Sequence, residues 1–288
     1  MTHDVPRGGR SGFTSADGRV VHYLEWGASS APALVCLHGG GQTAYMWEEL
    51  GDALRARVHV LAPDLPAHGD SDPLDSPDLS RHALAATIPA LLAEFGIERA
   101  VFVGASLGGI TSLTLASARP DLVAGMVLVD IGHRLEDEGV DRIIDFLTRH
   151  ESFASLEEAA VEVAAYLPNR PNVRPENLRR NLRQRPDGRW EWKHGLGRRM
   201  RESGFKFGGW RELTAGLDQE MPLLNCPVLV LRGSKSDVLS DEGAQEVASL
   251  IPGAKLVTIG SAGHHAAGDN PQSTVDAVSQ FLTDIADE

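Results

Sequence analysis

Short, uninterrupted apolar runs recur along the chain and limit its fold more than any other feature. Runs of this length, rich in β-branched residues, are typical of strands that are buried on both faces of a parallel sheet. The runs are Ala33–Leu37, Val58–Leu61, Ala100–Val103, Met126–Val129, Val228–Leu231 and Lys255–Ile259. An α/β fold follows, because parallel neighbours need crossover connections and these are usually helices.

The segments between these runs have helical character. Helices are predicted over Leu84–Phe95, which stops at Gly96, over the small and apolar Leu107–Ala118, and over Pro271–Ile285, where Pro opens the helix. Near the N-terminus, alternating residues on either side of Asp17-Gly18 predict a β-hairpin over Gly12–Trp26, at an antiparallel edge of the sheet.

Residues 131–216 break the alternation of strand and helix. They contain no convincing strand, only the helical segments Val140–His150, Leu156–Leu167 and Glu176–Gln184. We therefore interpret 131–216 as a helical cap inserted between two sheet strands. Residues 1–130 and 217–288 then form one α/β core, with the cap near the strand ends where α/β proteins place their sites.

Composition excludes several classes of function. The 288 residues carry a formal net charge of −13, which argues against nucleic acid or an anionic membrane as the partner. Two cysteines form neither a disulfide framework nor a four-thiolate metal site. The first residues lack the apolar core of a signal peptide, and no run of 18 apolar residues occurs. We expect a soluble, cytoplasmic enzyme.

A serine flanked by glycines carries the strongest chemical signal. In Gly104-Ala105-Ser106-Leu107-Gly108, Ser106 lies between a predicted strand and a predicted helix. Such a turn presents the hydroxyl at a helix N-terminus, and its glycines avoid collisions that a Cβ would cause. Ser106 is therefore the predicted nucleophile, and the alternative is a helix N-cap serine.

Acyl transfer by a serine also requires donors for the oxyanion. The run His38-Gly39-Gly40-Gly41 follows the strand Ala33–Leu37, and its glycines let backbone N–H groups approach a ligand. The predicted donors are the N–H groups of Gly40 and Leu107, with Gly41 as the next choice. His38 is interpreted as structural.

A serine nucleophile also needs a base and an acid, and in the chain order Ser, Asp, His both follow Ser106. Gly263-His264-His265 comes after the last strand, so either histidine is a candidate base. Asp237, shortly after Val228–Leu231, is the first choice for the acid. Asp130, directly after Met126–Val129, is its competitor.

Together these motifs resemble the α/β-hydrolase superfamily, in its cap-bearing branch of serine esterases, C–C bond hydrolases and perhydrolases. The resemblance covers nearly the whole chain and includes the loop Asp64–Ser71. It implies an eight-stranded, mostly parallel sheet with helices on both faces and a helical cap. In the superfamily the catalytic histidine stands in G-H-x-x-x-x-[DE]-x-P, and Asp269 and Pro271 match this spacing from His264 rather than from His265.

The predicted cap is basic and aromatic. Residues 170–201 hold eleven Lys and Arg against three acidic residues, which is typical of ion pairing with an acidic body or of attraction for an anionic substrate. Gly41, Trp190 and Trp210 are candidate substrate-binding residues, and for the two tryptophans packing of the cap on the body is the alternative. We expect a small ester-like substrate, whose anionic or aromatic character stays open.

The sequence thus predicts a hydrolase of esters, thioesters or lactones that forms an acyl-enzyme on Ser106, with no metal and no cofactor. A C–C bond hydrolase of ring-cleavage diketones uses the same triad and is the nearest alternative. A ligand sensor that keeps the fold without turnover is the alternative of another class. The oligomeric state stays open.

Overall fold

The hairpin at the start of the chain follows from its turn residues. Asp17 and Gly18 have φ of 53° and 75°, the left-handed values that a two-residue hairpin turn requires. They join strand β1 (Arg10–Ala16) to strand β2 (Arg19–Trp26), which pair antiparallel. The structure is a computed structural model that describes residues 4–74, 80–170, 172–196 and 210–287.

Eight strands form the main sheet in this described part of the chain. Their order across the sheet is β1-β2-β4-β3-β5-β6-β9-β10, in which β2 pairs antiparallel with β4 and every later pair is parallel. The strands after the hairpin are β3 (Ala33–Leu37), β4 (His59–Pro63), β5 (Ala100–Ala105), β6 (Val123–Val129), β9 (Val228–Gly233) and β10 (Lys255–Ile259). The predicted fold class is confirmed.

Helices connect the parallel strands and cover the sheet. The described helices are α1 (Glu48–Leu54), α2 (Arg81–Ala85), α3 (Ile88–Glu94), α4 (Leu107–Ala118), α5 (Asp137–Arg149), α6 (Leu156–Tyr166), α7 (Trp210–Thr214), α8 (Leu217–Glu220), α9 (Asp241–Leu250), α10 (Ala266–Asp269) and α11 (Pro271–Ala286). Four 3₁₀ turns lie at Ala44–Trp47, Pro120–Leu122, Pro175–Arg180 and Met221–Leu223. Within these residues, no helix is long and apolar enough to span a bilayer.

Both faces of the central strands are buried, as the apolar runs predict. Along β3, Val35 and Leu37 pack into one core cluster, whereas Leu34 and Cys36 pack into another. Successive side chains of a strand point to opposite faces, so the two clusters lie on the two sides of the sheet. Each of these four residues is fully buried.

Three details of the predicted elements are wrong. The run Lys255–Ile259 is the edge strand β10 rather than a strand buried on both faces, and Val257 is 38% exposed. The predicted helix Leu84–Phe95 is two short helices, α2 and α3, with Pro89 in the first turn of the second. Proline lacks the N–H that a continuous helix would need at that position.

The third error lies in the segment between β6 and β9. The predicted helix Glu176–Gln184 is instead a 3₁₀ turn followed by β7 (Leu182–Gln184), which pairs antiparallel with β8 (Trp190–Trp192). The other helices predicted there, α5 and α6, are present. Phe153 and Leu182 are buried in a separate small core at this end of the molecule.

Candidate active site

Ser106 lies in a strained turn between β5 and α4. Its φ of 47° and ψ of −113° are outside the regions that a serine normally occupies. A Cβ on Gly104 would lie 2.5 Å from the Gly108 carbonyl oxygen, and one on Gly108 would lie 2.1 Å from the Leu37 carbonyl oxygen. The turn therefore requires glycine at both positions, as the motif predicts.

His264 lies in the loop after β10, and its ring is oriented by a carboxylate. Its Nδ1 lies 2.8 Å from Oδ2 of Asp130. Because an ionised carboxylate only accepts hydrogen bonds, Nδ1 carries the proton and Nε2 keeps its lone pair. His264 is thus held in the tautomer that a general base requires.

Asp130 is fully buried directly after β6, at the point where that strand ends between β5 and β9. Its φ is 53°, and its N–H donates to the Leu231 carbonyl at 2.7 Å. Its Oδ1 accepts the N–H of Gly233 at 2.9 Å, and its Oδ2 accepts the Ser236 hydroxyl. These donors stabilise the buried charge and fix the carboxylate against His264.

The prediction that Asp237 orients His264 is wrong in this structure. The Asp237 side chain is 34% exposed and pairs with Arg142 at 2.5 Å, on helix α5. The neighbouring Ser236 points the other way and donates to Asp130. Both aspartates follow strands that lie side by side, so the chain order Ser, Asp, His admits either of them. The short distance from the end of β6 to Asp130 was the available signal.

The loop after β3 approaches Ser106 closely. A Cβ on Gly39 would lie 3.5 Å from Cβ of Ser106, and a Cβ on Gly40 would lie 3.8 Å from Leu196, its single neighbour within 4 Å among the described residues. Leu107 is the first residue of α4, so its N–H has no acceptor within the helix. Gly40 and Leu107 line the same cavity as Ser106 and His264, which suits the predicted oxyanion donors.

His38 has a structural role, as predicted. Its Nδ1 donates to the Gly39 carbonyl at 2.8 Å, and its Nε2 accepts the Leu65 N–H at 2.8 Å. Complete burial lowers the pKa of His38. The neutral ring therefore ties the loop after β3 to the loop after β4.

Gln42 links the loop after β3 to the histidine loop, although no motif in the sequence marks it as a functional residue. Its Oε1 accepts the Gly39 N–H at 3.2 Å, so its Nε2 is the donor that lies 3.0 Å from Nδ1 of His265. Burial lowers the pKa of His265 well below its ordinary value, so the ring is neutral and its Nε2 carries the proton. Gln42 thereby connects the loop that contains Gly39 to His265, the residue next to His264.

A cavity of about 1010 Å³ opens above Ser106. This volume is at the upper end of the range for small-molecule sites. Gly41 and Trp210 line it, as predicted, and so do helix α5 and residues of the segment 170–181. The described lining does not include Trp190, which pairs by backbone with Phe153 and has Arg179 over its ring at 5.1 Å. The prediction that Trp190 is a pocket residue is therefore wrong.

One group in the described residues has the composition of a metal site. Ligand atoms of His22, Asp64 and Asp70 lie within 4.8 Å of one another. These groups already have partners, however: His22 Nδ1 lies 2.7 Å from Asp64, and Lys193 lies 2.6 Å from Asp70. Asp64 also accepts the N–H groups of Ala44 and Asp70. The cluster thus ties β2 to the loop after β4.

Comparison with known proteins identifies the family. The sequence profile of the alpha/beta hydrolase fold family matches residues 32–271. An esterase of Mycobacterium tuberculosis is 29% identical over 278 residues, which cover 91% of this chain and 86% of the relative. An sn-1-specific diacylglycerol lipase of Mus musculus is 30% identical over 283 residues, which cover 94% of this chain and 89% of the relative.

The solved structures show the same similarity. An alpha/beta hydrolase from Novosphingobium aromaticivorans superposes with a TM-score of 0.80 at 29% identity, covering 96% of this chain and 98% of that one. An E-2-(acetamidomethylene)succinate hydrolase has a TM-score of 0.81 at 22% identity, with 96% and 99% coverage, which is a likeness of fold. The chain belongs to the alpha/beta hydrolase family and is a hydrolase.

Proposed function

We propose that this protein cleaves carboxylic esters through an acyl-enzyme on Ser106, with His264 as general base and Asp130 as the residue that orients it. The observation that carries the proposal is the bond between His264 Nδ1 and the buried Asp130, at a cavity that Ser106 also lines. Asp130 replaces Asp237 in this assignment, because Asp237 pairs with Arg142.

The proposed reaction has two halves. Ser106 Oγ bonds to the ester carbonyl carbon while its proton passes to Nε2 of His264, and the carbonyl oxygen becomes an oxyanion. The N–H groups of Gly40 and Leu107 stabilise that charge. The carbon–oxygen bond to the alcohol then breaks, and the alcohol leaves with the proton from His264.

Deacylation repeats these steps with water. His264 takes a proton from water as its oxygen bonds to the acyl carbon, and the second tetrahedral intermediate releases the carboxylic acid and restores the Ser106 hydroxyl. Asp130 stabilises the imidazolium in both halves without itself being protonated. The similarity to an esterase and to a diacylglycerol lipase supports an ester as the substrate.

The test is Ser106→Ala, with Ser117→Ala, in the helix α4 that follows Ser106, as its matched control. We expect Ser106→Ala to reduce turnover of 4-nitrophenyl butyrate by at least about 10³-fold, because the covalent route is lost, and Ser117→Ala to stay within about twofold. A fluorophosphonate probe should label the wild type and the control only.

Three results would overturn the proposal. Near-normal ester turnover by Ser106→Ala would rule out Ser106 as the nucleophile. A serine that does not react with the fluorophosphonate probe in folded wild-type protein would favour a ligand sensor. Turnover of a ring-cleavage dienone far faster than of any ester would replace the ester with a carbon–carbon bond as the scissile group.

A further inference from the structure

The wall of the cavity formed by helix α5 is an apolar stripe. Val140, Ile143, Ile144 and Leu147 all line the cavity, and their spacing of three and four residues places them on one face of the helix. Val140, Ile144 and Leu147 are less than 9% exposed. The stripe is about 10 Å long at the rise of an α-helix.

The position of this stripe relative to the reaction is fixed at both ends. At one end, a Cβ on Gly139 would lie 2.0 Å from the Asp237 carbonyl oxygen, so α5 starts against the loop after β9. At the other end, Leu147 lies 2.6 Å from where a Cβ on Gly41 would be, at the loop that holds the oxyanion donors. The stripe therefore runs across the carboxyl edge of the sheet, beside Ser106, and suits an aliphatic chain.

A different segment, residues 172–181, forms the rim of the cavity, and it is fixed to the body by Arg170, which precedes it, and by Arg180 near its other end. Arg170 pairs with the buried Asp269 at 2.7 Å, beside His265. Arg180 pairs with Glu48 at 2.6 Å and lies 4.9 Å from the centre of the Tyr45 ring. Arg170 thus holds the rim near His265, and Arg180 holds it near Tyr45.

Arg174 lies between these two anchors and also lines the cavity. It is exposed, and among the described residues it forms no ion pair, unlike Arg170 and Arg180. The nearby cavity-lining amides of Asn172, Asn177 and Asn181 make no side-chain hydrogen bond within the described part of the chain. The rim therefore offers one cation and three amide groups to a ligand.

The order of the proposed steps indicates which part of the substrate lies at each end of the cavity. In the proposed mechanism the alcohol leaves first, and the acyl group stays on Ser106 until water releases it. The alcohol must depart through the open side, where Arg174, Asn172 and Asn177 are exposed, whereas the buried stripe can retain the acyl chain. Charge on the substrate therefore belongs to the alcohol part.

We propose that the substrates are amphipathic esters, in which an aliphatic acyl chain lies along α5 and the alcohol part carries a carboxylate or phosphate that Arg174 binds. The inference rests on the proposed function and names its substrate class. The other described basic residues between 170 and 193 have partners, through ion pairs such as those of Arg183 with Glu191 and Lys193 with Asp70, through hydrogen bonds of Arg189 to Ser152, or through stacking of Arg179 on Trp190. Arg174 is the cation of the described cavity lining that is left for the substrate.

The experiment compares three esters with the same chain length. They are 4-nitrophenyl hexanoate, its analogue with a carboxylate on the nitrophenyl ring, and the mono-4-nitrophenyl ester of adipic acid, which carries the carboxylate on the acyl side. We expect Arg174→Ala to raise KM about three- to tenfold for the ring carboxylate alone, a range suited to a partly solvated ion pair. Arg174→Glu should raise the KM for the ring carboxylate further, and added salt should reduce the difference in KM between the wild type and these variants.

Arg179→Ala is the matched control, since Arg179 lies in the same segment but stacks on Trp190. Arg179→Ala should leave the KM for all three esters unchanged. Equal effects of Arg174→Ala on the neutral and charged esters, or an effect confined to the adipate ester, would overturn the inference. Ser106-dependent turnover of the neutral hexanoate would at the same time keep the proposed function intact, so the two failures are distinguishable.

Discussion

His264 and Asp130 are 134 residues apart in the chain, yet Nδ1 of the one lies 2.8 Å from Oδ2 of the other. The contact forms because only β9 separates β6 from β10 in the sheet, which places the residue after β6 near the histidine loop that follows β10. Asp130 is completely buried, so its charge is screened little by water and acts strongly on the imidazole. The His264 ring is therefore oriented by a residue at the end of a central strand rather than by Asp237 in the loop after β9.

The contact between His264 and Asp130 predicts different outcomes for substitutions of Asp130 and of Asp237. Asp130→Asn should lower kcat on 4-nitrophenyl esters by about 10³–10⁴-fold, because the amide favours the wrong histidine tautomer. Asp237→Asn should change kcat less than about threefold, since it removes only an exposed ion pair with Arg142. Steady-state kinetics of the two variants decide the assignment. A large loss in Asp237→Asn with little change in Asp130→Asn would contradict it.

Gln42 is expected to position both the oxyanion loop and the histidine loop. Gln42→Leu removes the acceptor of the Gly39 N–H and the donor to His265, so kcat should fall about tenfold or more with little change in KM. Gln42→Glu keeps the acceptor and should retain more activity than Gln42→Leu. The exposed Gln245→Leu is the control. A rise in KM with unchanged kcat would place Gln42 in substrate binding instead.

Gly108 should tolerate no side chain. In Gly108→Ala the new Cβ would lie 2.1 Å from the Leu37 carbonyl oxygen, which forces β3 and α4 apart. We expect a loss of about 3 kcal/mol in the free energy of unfolding, read from urea denaturation, or failure to fold. Gly260→Ala, which meets nothing within 4 Å, is the control and should unfold as the wild type does.

Because His194 is buried, we expect the protein to lose stability in mild acid. Burial lowers its pKa to about 4, below the ordinary value near 6.5, so the unfolded chain binds a proton that the native state does not. Stability is therefore present above pH 6.5 and is lost as the pH falls towards 4, by about 2 kcal/mol at pH 5.

His194→Gln should flatten the dependence of Tm on pH between 7 and 5, and His82→Gln, at an exposed position, should leave it unchanged. His68 and His265 are also buried with lowered pKa values, so a slope remains in the His194 variant. A Tm that falls equally steeply in the wild type and in His194→Gln would contradict the assignment.

The sequence by itself determined the class of fold and the turn that carries Ser106. Both depend on local rules: apolar runs form buried strands, Asp17-Gly18 forms a hairpin turn, and only glycine fits at 104 and 108. The helix Leu107–Ala118 has the predicted ends for the same reason. The errors in the fold, such as the exposed edge strand β10, arise because exposure depends on neighbours in the sheet rather than on the strand's own residues.

Only the tertiary structure decided which aspartate meets His264. Asp130 and Asp237 both follow apolar strands, and the order Ser, Asp, His admits either. The choice depends on the positive φ of Asp130 and on the outward turn of Asp237 towards Arg142, which is carried by a helix from a distant part of the chain. The link from Gln42 to His265 and the pairing of Trp190 with Phe153 were hidden for the same physical reason: each depends on contacts between segments that are separated in sequence, which local patterns do not encode.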